Sequence, residues 1–560
     1  MQIRLFPLPT ALLLIAFVNV ALQAQPSPAS DTSAPGISAP GMSSPGMSSP
    51  RLETRGAAIQ LIVDGKPFLM LSGELHNSSS SSLDYMKPIW PKLTAMGLNT
   101  VVTPLSWELI EPTEGNYDFA LVDGLLAQAR AEHQRVVFLW LASWKNGMSS
   151  YAPVWVKEDT KRFPRVIQHD AEIELLSPAA SSTRDADARA FAALMQHIKQ
   201  VDSQAHTVLM MQVENEVGVL GDSRDRSGAA NKAFASPVPP ELTAYLKAHH
   251  ATLYPELRDL WDANGDKTSG AWAEVFGPTA RADEIFMAWH YARFVHAVAA
   301  KGKAAYNLPM YVNTWLAEGN AQPGDYPSGG PQPRVIDIWR AAAPASGPGL
   351  DFYAPDLYAA NFADWCQRYH RDGNPLYMPE TNGGPAGAAN VFYAVGEQAA
   401  MGFSPFAIES QREDKGELTA SYKAIESIAP QILAHQAAGD LHGFLLDKAH
   451  PSVDFTVSGY TVRVTLDEIF GHSAETGFGL ILPTGKDEFL GVGKGFRASF
   501  TPVDPKGPKV GIAAVDEGSF EDGKWIPGRR LNGDENDQGK GWRFSPFAVS
   551  TETVKLYHYE

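Results

Sequence analysis

The sequence predicts an α/β chain built as a (β/α)8 TIM barrel, followed by a smaller C-terminal β-rich domain of sandwich-like character. Three observations predict it. From about residue 55 to 430 short apolar runs alternate with stretches of helical period. After about 430 the texture changes to alternating runs broken by Gly, Pro and Asp. The composition, 44% hydrophobic and 10% aromatic with 19% charged over 560 residues, supplies a large core and excludes global disorder. Lys and Arg number 46 against 63 Asp and Glu, and the net charge of −17 has the wrong sign for tracking phosphates. Nucleic acid is therefore not an expected partner.

The first element, residues 1–24, reads as a secretory signal. Arg4 precedes the apolar run Ala11 to Val18, and Ala21-Leu22-Gln23-Ala24 places a small residue before an expected cut near Ala24. That run is shorter than the roughly 20 residues needed to span a bilayer, and no later stretch qualifies, so no membrane span is expected. The protein is expected to be exported, to the periplasm or beyond the cell. Residues 25–54 repeat Pro-Gly-Ile and Pro-Gly-Met among Ser and Ala (Pro35-Gly36-Ile37, Pro40-Gly41-Met42, Pro45-Gly46-Met47) and read as a linker.

Eight runs carry the barrel, spanning 55–430: Phe68 to Gly73, Asn99 to Leu105, Val136 to Ala142, Val208 to Val213, Met310 to Trp315, Asp351 to Leu357, Leu376 to Pro379 and Ser404 to Glu409. Between them, Val122, Leu125, Leu126 and Ala129 fall on one helical face, as do Phe191, Leu194, Met195, Ile198 and Val201. The stretch Val219 to Arg281 is too long for a connection and predicts helices at the barrel mouth. Cys366, the single cysteine, shares a face with Phe362, Trp365 and Tyr369 and belongs to core. Residues 431–560 form the β-rich domain. Its segment Arg529 to Gly539 is rich in turn residues but lacks EF-hand spacing, which favours a solvated turn over a calcium loop.

In a closed barrel of this kind reactive residues sit where strands end. The fourth run ends in Gln212-Val213-Glu214-Asn215-Glu216-Val217-Gly218, and the seventh leads into Pro379-Glu380-Thr381-Asn382. Two carboxyl groups facing each other across the mouth, with no metal-ligand cluster nearby, fit glycoside hydrolysis. Glu216, beside the Asn215 amide, is assigned as acid/base and Glu380 as nucleophile. Double displacement with retained configuration requires a separation of about 5 to 5.5 Å. The ordinary alternative, burial against Arg or Lys, loses weight because two Glu stand at corresponding strand ends. No cofactor or metal is called for.

The ordered set Ser72-Gly73-Glu74-Leu75-His76, Gly97-Leu98-Asn99-Thr100, Trp107 with Glu111-Pro112, Gly115-Asn116-Tyr117-Asp118-Phe119 and Gln212 to Gly218 resembles the retaining β-galactosidases of glycoside hydrolase family 35. The resemblance implies Glu216 as proton donor, Asn215 as partner of the sugar 2-hydroxyl, Glu214 as a supporting residue and Glu380 as nucleophile. Two sugar-binding positions of better-known members depart here. Their strand-two Tyr falls at Pro104, and their Ala-Glu-Trp reads Ala142-Ser143-Trp144. Trp144, Lys145 and Asn146 are the available replacements, Trp to stack on a sugar and Lys and Asn to bond hydroxyls. Tyr358 is placed to donate to Glu380, with half-buried packing as its alternative. Trp315 is a sugar platform or core, His76 a hydroxyl partner or a structural histidine, and Glu409 a pocket residue or the partner of Lys415.

The reading implied is an exo-acting retaining β-galactosidase on oligo- or polysaccharides. For the bacterial branch with a β-rich C-terminal domain, galactosylated xyloglucan is the leading substrate. Its alternatives are the same machinery with glucose, arabinose or glucosamine as glycone, and a non-catalytic glycan-binding barrel. The C-terminal domain is expected to brace the barrel. The sequence does not give an oligomeric state.

Overall fold

The computed structural model describes residues 48–560 apart from 345–346, 372, 412–415, 470–471 and 522. The signal, most of the linker and Lys415 lie outside the described residues. Among those described, no helix is long and apolar enough to cross a membrane.

Eight strands close a parallel barrel in sequence order: β1 (Met70–Glu74), β2 (Thr100–Ser106), β3 (Arg135–Lys145), β4 (Val208–Asn215), β5 (Met310–Trp315), β6 (Phe352–Leu357), β7 (Met378–Thr381) and β8 (Gly402–Pro405). Closure runs through Gly402↔Met70 and Phe403↔Leu71. The last predicted strand is displaced. β8 ends at Pro405, Ala407 takes a left-handed φ of 53°, and Ile408–Ser410 forms a 3-10 turn, so Glu409 lies beyond the strand.

The apolar runs are buried on both faces, as parallel strands flanked by helices require. One set of side chains, including Met70, Leu139, Tyr311, Phe352, Ala354 and Tyr377, fills the barrel interior. The alternate set, including Leu71, Phe138, Met310, Val312 and Met378, meets the surrounding helices. An N-terminal hairpin, Arg51–Arg55 with Ala58–Val63, contributes Leu61 and Val63 to the interior cluster. The strand Arg51–Arg55 falls partly within the span read as linker. At the other boundary, the helix Ala429–Ala438 packs on this hairpin, since Gln60 Nε2 donates to the Leu433 carbonyl at 2.7 Å and Ala57 N to that of Ala437 at 2.9 Å. It therefore sides with the barrel although it begins near the predicted boundary at 430.

Between β4 and β5 the chain makes four short helices, Gly228–Phe234, Pro240–Ala248, Pro255–Ala263 and Trp272–Phe276, before the long helix Ala280–Ala305. From His442 onward two antiparallel sheets of six and four strands follow. Phe444, Ile481, Phe489 and Val554 of the larger sheet meet Val462, Phe496, Trp542 and Phe544 of the smaller, which makes a sandwich. The larger sheet's other face, with Phe478, Leu480 and Leu490, joins the barrel's outer core. A Cβ built on Gly396 of the helix Gly384–Gly396 would lie 2.8 Å from Gly443 Cα, so only glycine permits this approach. Residues Gly533–Gly539 form a 3-10 helix after a strand, consistent with the turn reading.

Candidate active site

Strand alternation decides which side chains reach the mouth. On β1, Met70 belongs to the interior cluster, the Ser72 hydroxyl lies 2.6 Å from that of Ser404, and Glu74 ends the same inward column. Gly73 between them faces out, where an added Cβ would come within 2.4 Å of Ile408. On β6 the inward column is Phe352, Ala354, Asp356, and on β5 it is Tyr311, Asn313, Trp315.

β7 breaks the alternation. Tyr377 points in and Met378 out, which would by itself send Glu380 outward. The pairing with β8 skips, Met378 meeting Phe403 but Thr381 meeting Pro405, so three steps on β7 match two on β8. This bulge re-aims Glu380 inward, a use to which bulges beside active sites are put. The Tyr358 hydroxyl donates to Glu380 Oε1 at 2.6 Å, which answers the choice left for that tyrosine. Glu380 Oε2 is buried and accepts no hydrogen bond among the described residues.

β4 uses backbone conformation instead. Glu214 and Glu216 both adopt left-handed φ, 65° and 45°, conformations non-glycine residues rarely hold outside functional or turn positions. The first turn carries Glu214 away from the pocket. Its two oxygens accept from Ser143 N at 3.2 Å and Trp144 N at 2.8 Å, and the carboxyl contacts Asp187 of the outer helix Ser181–Asp202. Asp187 also accepts from Trp140 Nε1 at 2.9 Å and Ser143 Oγ at 2.6 Å. Burial, followed by the Asp187 charge, raises the Glu214 pKa well above the usual carboxyl range, so the pair shares a proton. Glu214 is thus not a sugar ligand; it ties β3 to β4 from behind. Replacing it by Ala strands two backbone N–H groups and removes the carboxyl that shares a proton with Asp187, and we expect a loss of about 3 to 5 kcal/mol of stability in urea unfolding.

The second left-handed residue returns Glu216 to the mouth. Its backbone N donates to Asn313 Oδ1 at 2.8 Å, and Asn313 Nδ2 donates to Asp356 Oδ2 at 2.6 Å. The Glu216 carboxyl itself contacts Asp356. Burial, then the Glu380 charge, pushes the Glu216 pKa up to about 7, while Lys145 opposes the rise. Burial, Glu380 and Glu216 raise Asp356 well above the carboxylate range, so Asp356 carries the proton in its contact with Glu216. With the Asn215 amide oxygen turned toward donors, it accepts from Lys145 Nζ and Glu216 N, each at 3.2 Å.

Other expected residues divide. Trp315 at the end of β5 is 40% exposed, so the platform reading is open to it and the core reading is not. Trp144 is the reverse. Its ring is fully buried in the helix layer against Phe294 and Tyr291, with Nε1 donating to the Leu176 carbonyl at 2.9 Å. It offers no face to a sugar. Asn146 takes φ 51° in the turn after β3, its N donating to the Asn215 carbonyl at 3.3 Å, while Lys145 reaches the mouth. His76 is exposed but held by Ser410 Oγ at 2.9 Å and by its own N donating to Glu409 Oε1 at 3.0 Å, a structural setting. Glu409 also accepts from Ser79 Oγ.

Sequence reasoning passed over Glu74 and Asp356, although both stand in the motifs it quoted. A signal was present in strand alternation, which puts Glu74 in register with Met70 and Ser72, and Asp356 with Phe352 and Ala354. Around the mouth, Glu74 Oε1, Gln212 Oε1 and Glu380 Oε2 are all buried without a hydrogen-bond partner among the described residues. Each such atom costs about 1–3 kcal/mol unless a ligand or water satisfies it. Three inward atoms from β1, β4 and β7 mark a polar cluster on the barrel axis.

The segment 82–302 matches a glycoside hydrolase family 42 model described as beta-galactosidase, and 418–543 matches a domain of unknown function, DUF5597. The first span contains Glu216 and stops short of Glu380. A beta-galactosidase of Xanthomonas manihotis is 31% identical over 170 residues, covering 29% of this chain and 26% of that protein. Beta-galactosidase 14 of Arabidopsis thaliana is 27% identical over 171 residues, covering 29% and 17%. The chain thus spans about a quarter or less of these relatives. A crystal structure of beta-galactosidase from Bacillus circulans sp. alkalophilus aligns with TM-score 0.43 and 15% identity, over 65% of this chain and 57% of that one. In its first half, from the helices before β2 to the long helix before β5, the barrel is similar in sequence to β-galactosidases.

Proposed function

We propose that the protein is an exo-acting retaining β-galactosidase, with Glu380 as nucleophile and Glu216 as acid/base. The observation that carries the reading is the asymmetry of the two carboxyls. Glu216 is held near pH 7 by burial and by its neighbour's charge, whereas Glu380 has one oxygen bonded by Tyr358 and the other free. Two carboxyls with opposed environments facing one pocket are what acid-assisted displacement at an anomeric carbon needs. Retention asks in addition that the two carboxyls stand about 5 to 5.5 Å apart.

In the first step Glu380 Oε2 attacks the anomeric carbon while protonated Glu216 gives its proton to the departing glycosidic oxygen. The aglycone leaves as an alcohol, and an ester joins sugar and Glu380. In the second, Glu216, now a carboxylate, takes a proton from water as that water attacks the same carbon. The ester breaks, free sugar departs and both carboxyls return to their starting states. Tyr358 steadies the Glu380 oxygen that is not reacting. Asn215, oriented by Lys145, is the partner for the 2-hydroxyl, and Trp315 offers its exposed ring at the rim.

The motifs in β1, β2 and β4 favour family 35, while the matching model is of family 42; both descriptions name β-galactosidases, and the family 35 placement is part of this proposal. So are export and a galactosylated plant-wall glycan such as xyloglucan as substrate. The test is a panel of aryl β-galactoside, β-glucoside, α-arabinoside and β-glucosaminide, with the first-formed anomer read by NMR. The β-galactoside should be preferred and β-galactose should appear first. Preference for another glycone overturns the substrate, first-formed α-galactose the mechanism, and no turnover of any the enzyme reading. Trp315→Ala should raise KM on oligosaccharides several-fold with kcat little changed, since stacking acts on ground and transition states alike.

A further inference from the structure

The mechanism above leaves Glu74, a buried carboxyl at the barrel mouth, unused. Glu74 stands at the top of the inward column of β1 and is 1% exposed. Its charge neighbours are Glu380 from β7, Lys145 from the end of β3, Glu216 after β4 and Glu409 after β8. Only a side chain near the barrel axis lies within reach of all four. Its Oε1 has no donor among the described residues, and beneath it the column continues in hydroxyls, Ser72 with Ser404 and Ser404 with Tyr377. Burial, then the Glu380 charge, raises its pKa well above the carboxylate range. Against a structural role, Glu74 caps no helix and makes no ion pair within 4 Å among the described residues. A carboxyl that braces the fold looks different: Glu214 has both oxygens engaged by backbone N–H groups, and Glu111 accepts from Trp107 Nε1 and Gly115 N, each at 2.7 Å.

Near the end of β3 the Ser143 hydroxyl is spent on Asp187 and offers nothing to a sugar. We infer that Glu74 is a specificity-determining residue that accepts a hydrogen bond from one ring hydroxyl of the glycone at the floor of the pocket. The ligand class is a neutral pyranose. A glycone carrying a carboxylate is disfavoured, because it would sit beside the Glu380 charge. This inference rests on the glycosidase reading for its ligand.

The experiment compares wild type and Glu74→Ala on the aryl β-galactoside and its 3-deoxy, 4-deoxy and 6-deoxy analogues, with free galactose binding followed by calorimetry. On the parent substrate kcat/KM should fall about 10- to 100-fold, the range of a hydrogen bond in a desolvated site. For one analogue the wild type should already have lost that factor, and the variant should match it within about threefold. Galactose should bind the variant correspondingly more weakly. A fall by one common factor on every analogue, or no fall, overturns the assignment. If Glu74→Ala does not fold, Glu74→Gln keeps the volume and should show the same analogue pattern with a smaller loss. Wild type that turns over the galactoside while the analogue pattern is flat sinks only this inference. Wild type that neither hydrolyses nor binds galactose sinks the galactosidase reading, and this one with it.

Discussion

Glu380→Gln is expected to lower kcat on an aryl β-galactoside by about 10^4- to 10^6-fold, the scale on which removing a covalent nucleophile acts. The amide keeps the volume and can still accept from the Tyr358 hydroxyl, so thermal melting should move little. A sharper measurement uses azide with the smaller Glu380→Gly variant. Azide then enters from the vacated face and should yield the α-galactosyl azide, detectable by NMR. A Glu380→Gln enzyme with activity near wild type would remove this residue from the chemistry.

Glu216→Ala carries the second-largest effect and has a different signature. With a methyl or alkyl galactoside, whose leaving oxygen needs a proton, kcat/KM should fall about 10^2- to 10^4-fold. With a dinitrophenyl galactoside, whose oxygen leaves unaided, formation of the ester should be slowed only about tenfold. Azide should now give the β-azide, by attack on the galactosyl-enzyme. The pH profile follows from the same residue. Because burial and Glu380 raise Glu216 to about 7, the protonated acid is present below that pH and lost above it. In the wild type kcat/KM for the alkyl galactoside should fall as pH rises through about 7, and that limb should be absent from Glu216→Ala. A loss independent of leaving group would assign Glu216 a packing role instead.

Much of this site was legible in the sequence, and the rest failed for physical reasons. Six of the eight apolar runs coincide closely with barrel strands, because parallel strands buried on both faces leave continuous hydrophobic runs, and the seventh overlaps its strand only at Met378 and Pro379. The eighth slipped because Gly402 and Phe403 continue an apolar stretch whose end is fixed by the left-handed Ala407, a backbone event with no compositional trace. Glu216 and Glu380 were found from strand-end position alone, yet strict alternation would not aim both inward. Each needs a local departure, left-handed residues on β4 and a bulge on β7, that side-chain period cannot reveal. Trp144 was misjudged because its value as a sugar stacker was inferred from residue type without its facing, in a stretch where the β3 register is irregular. Glu214 reads like its neighbour Glu216, and only the Asp187 and β3 backbone contacts separate the two roles.

The order of strands in the larger C-terminal sheet bears on how the chain matures. Ser550–Tyr559 lies between Glu488–Lys494 and Lys509–Glu521, in the middle of the sheet although it comes last of the three in sequence. Until the ribosome has released it, two interior edges stand open with their amides unpaired, a template for joining another copy. A premature stop anywhere between residues 532 and 549 should therefore yield inclusion bodies in place of a shortened soluble chain, however well the barrel ahead of it has folded.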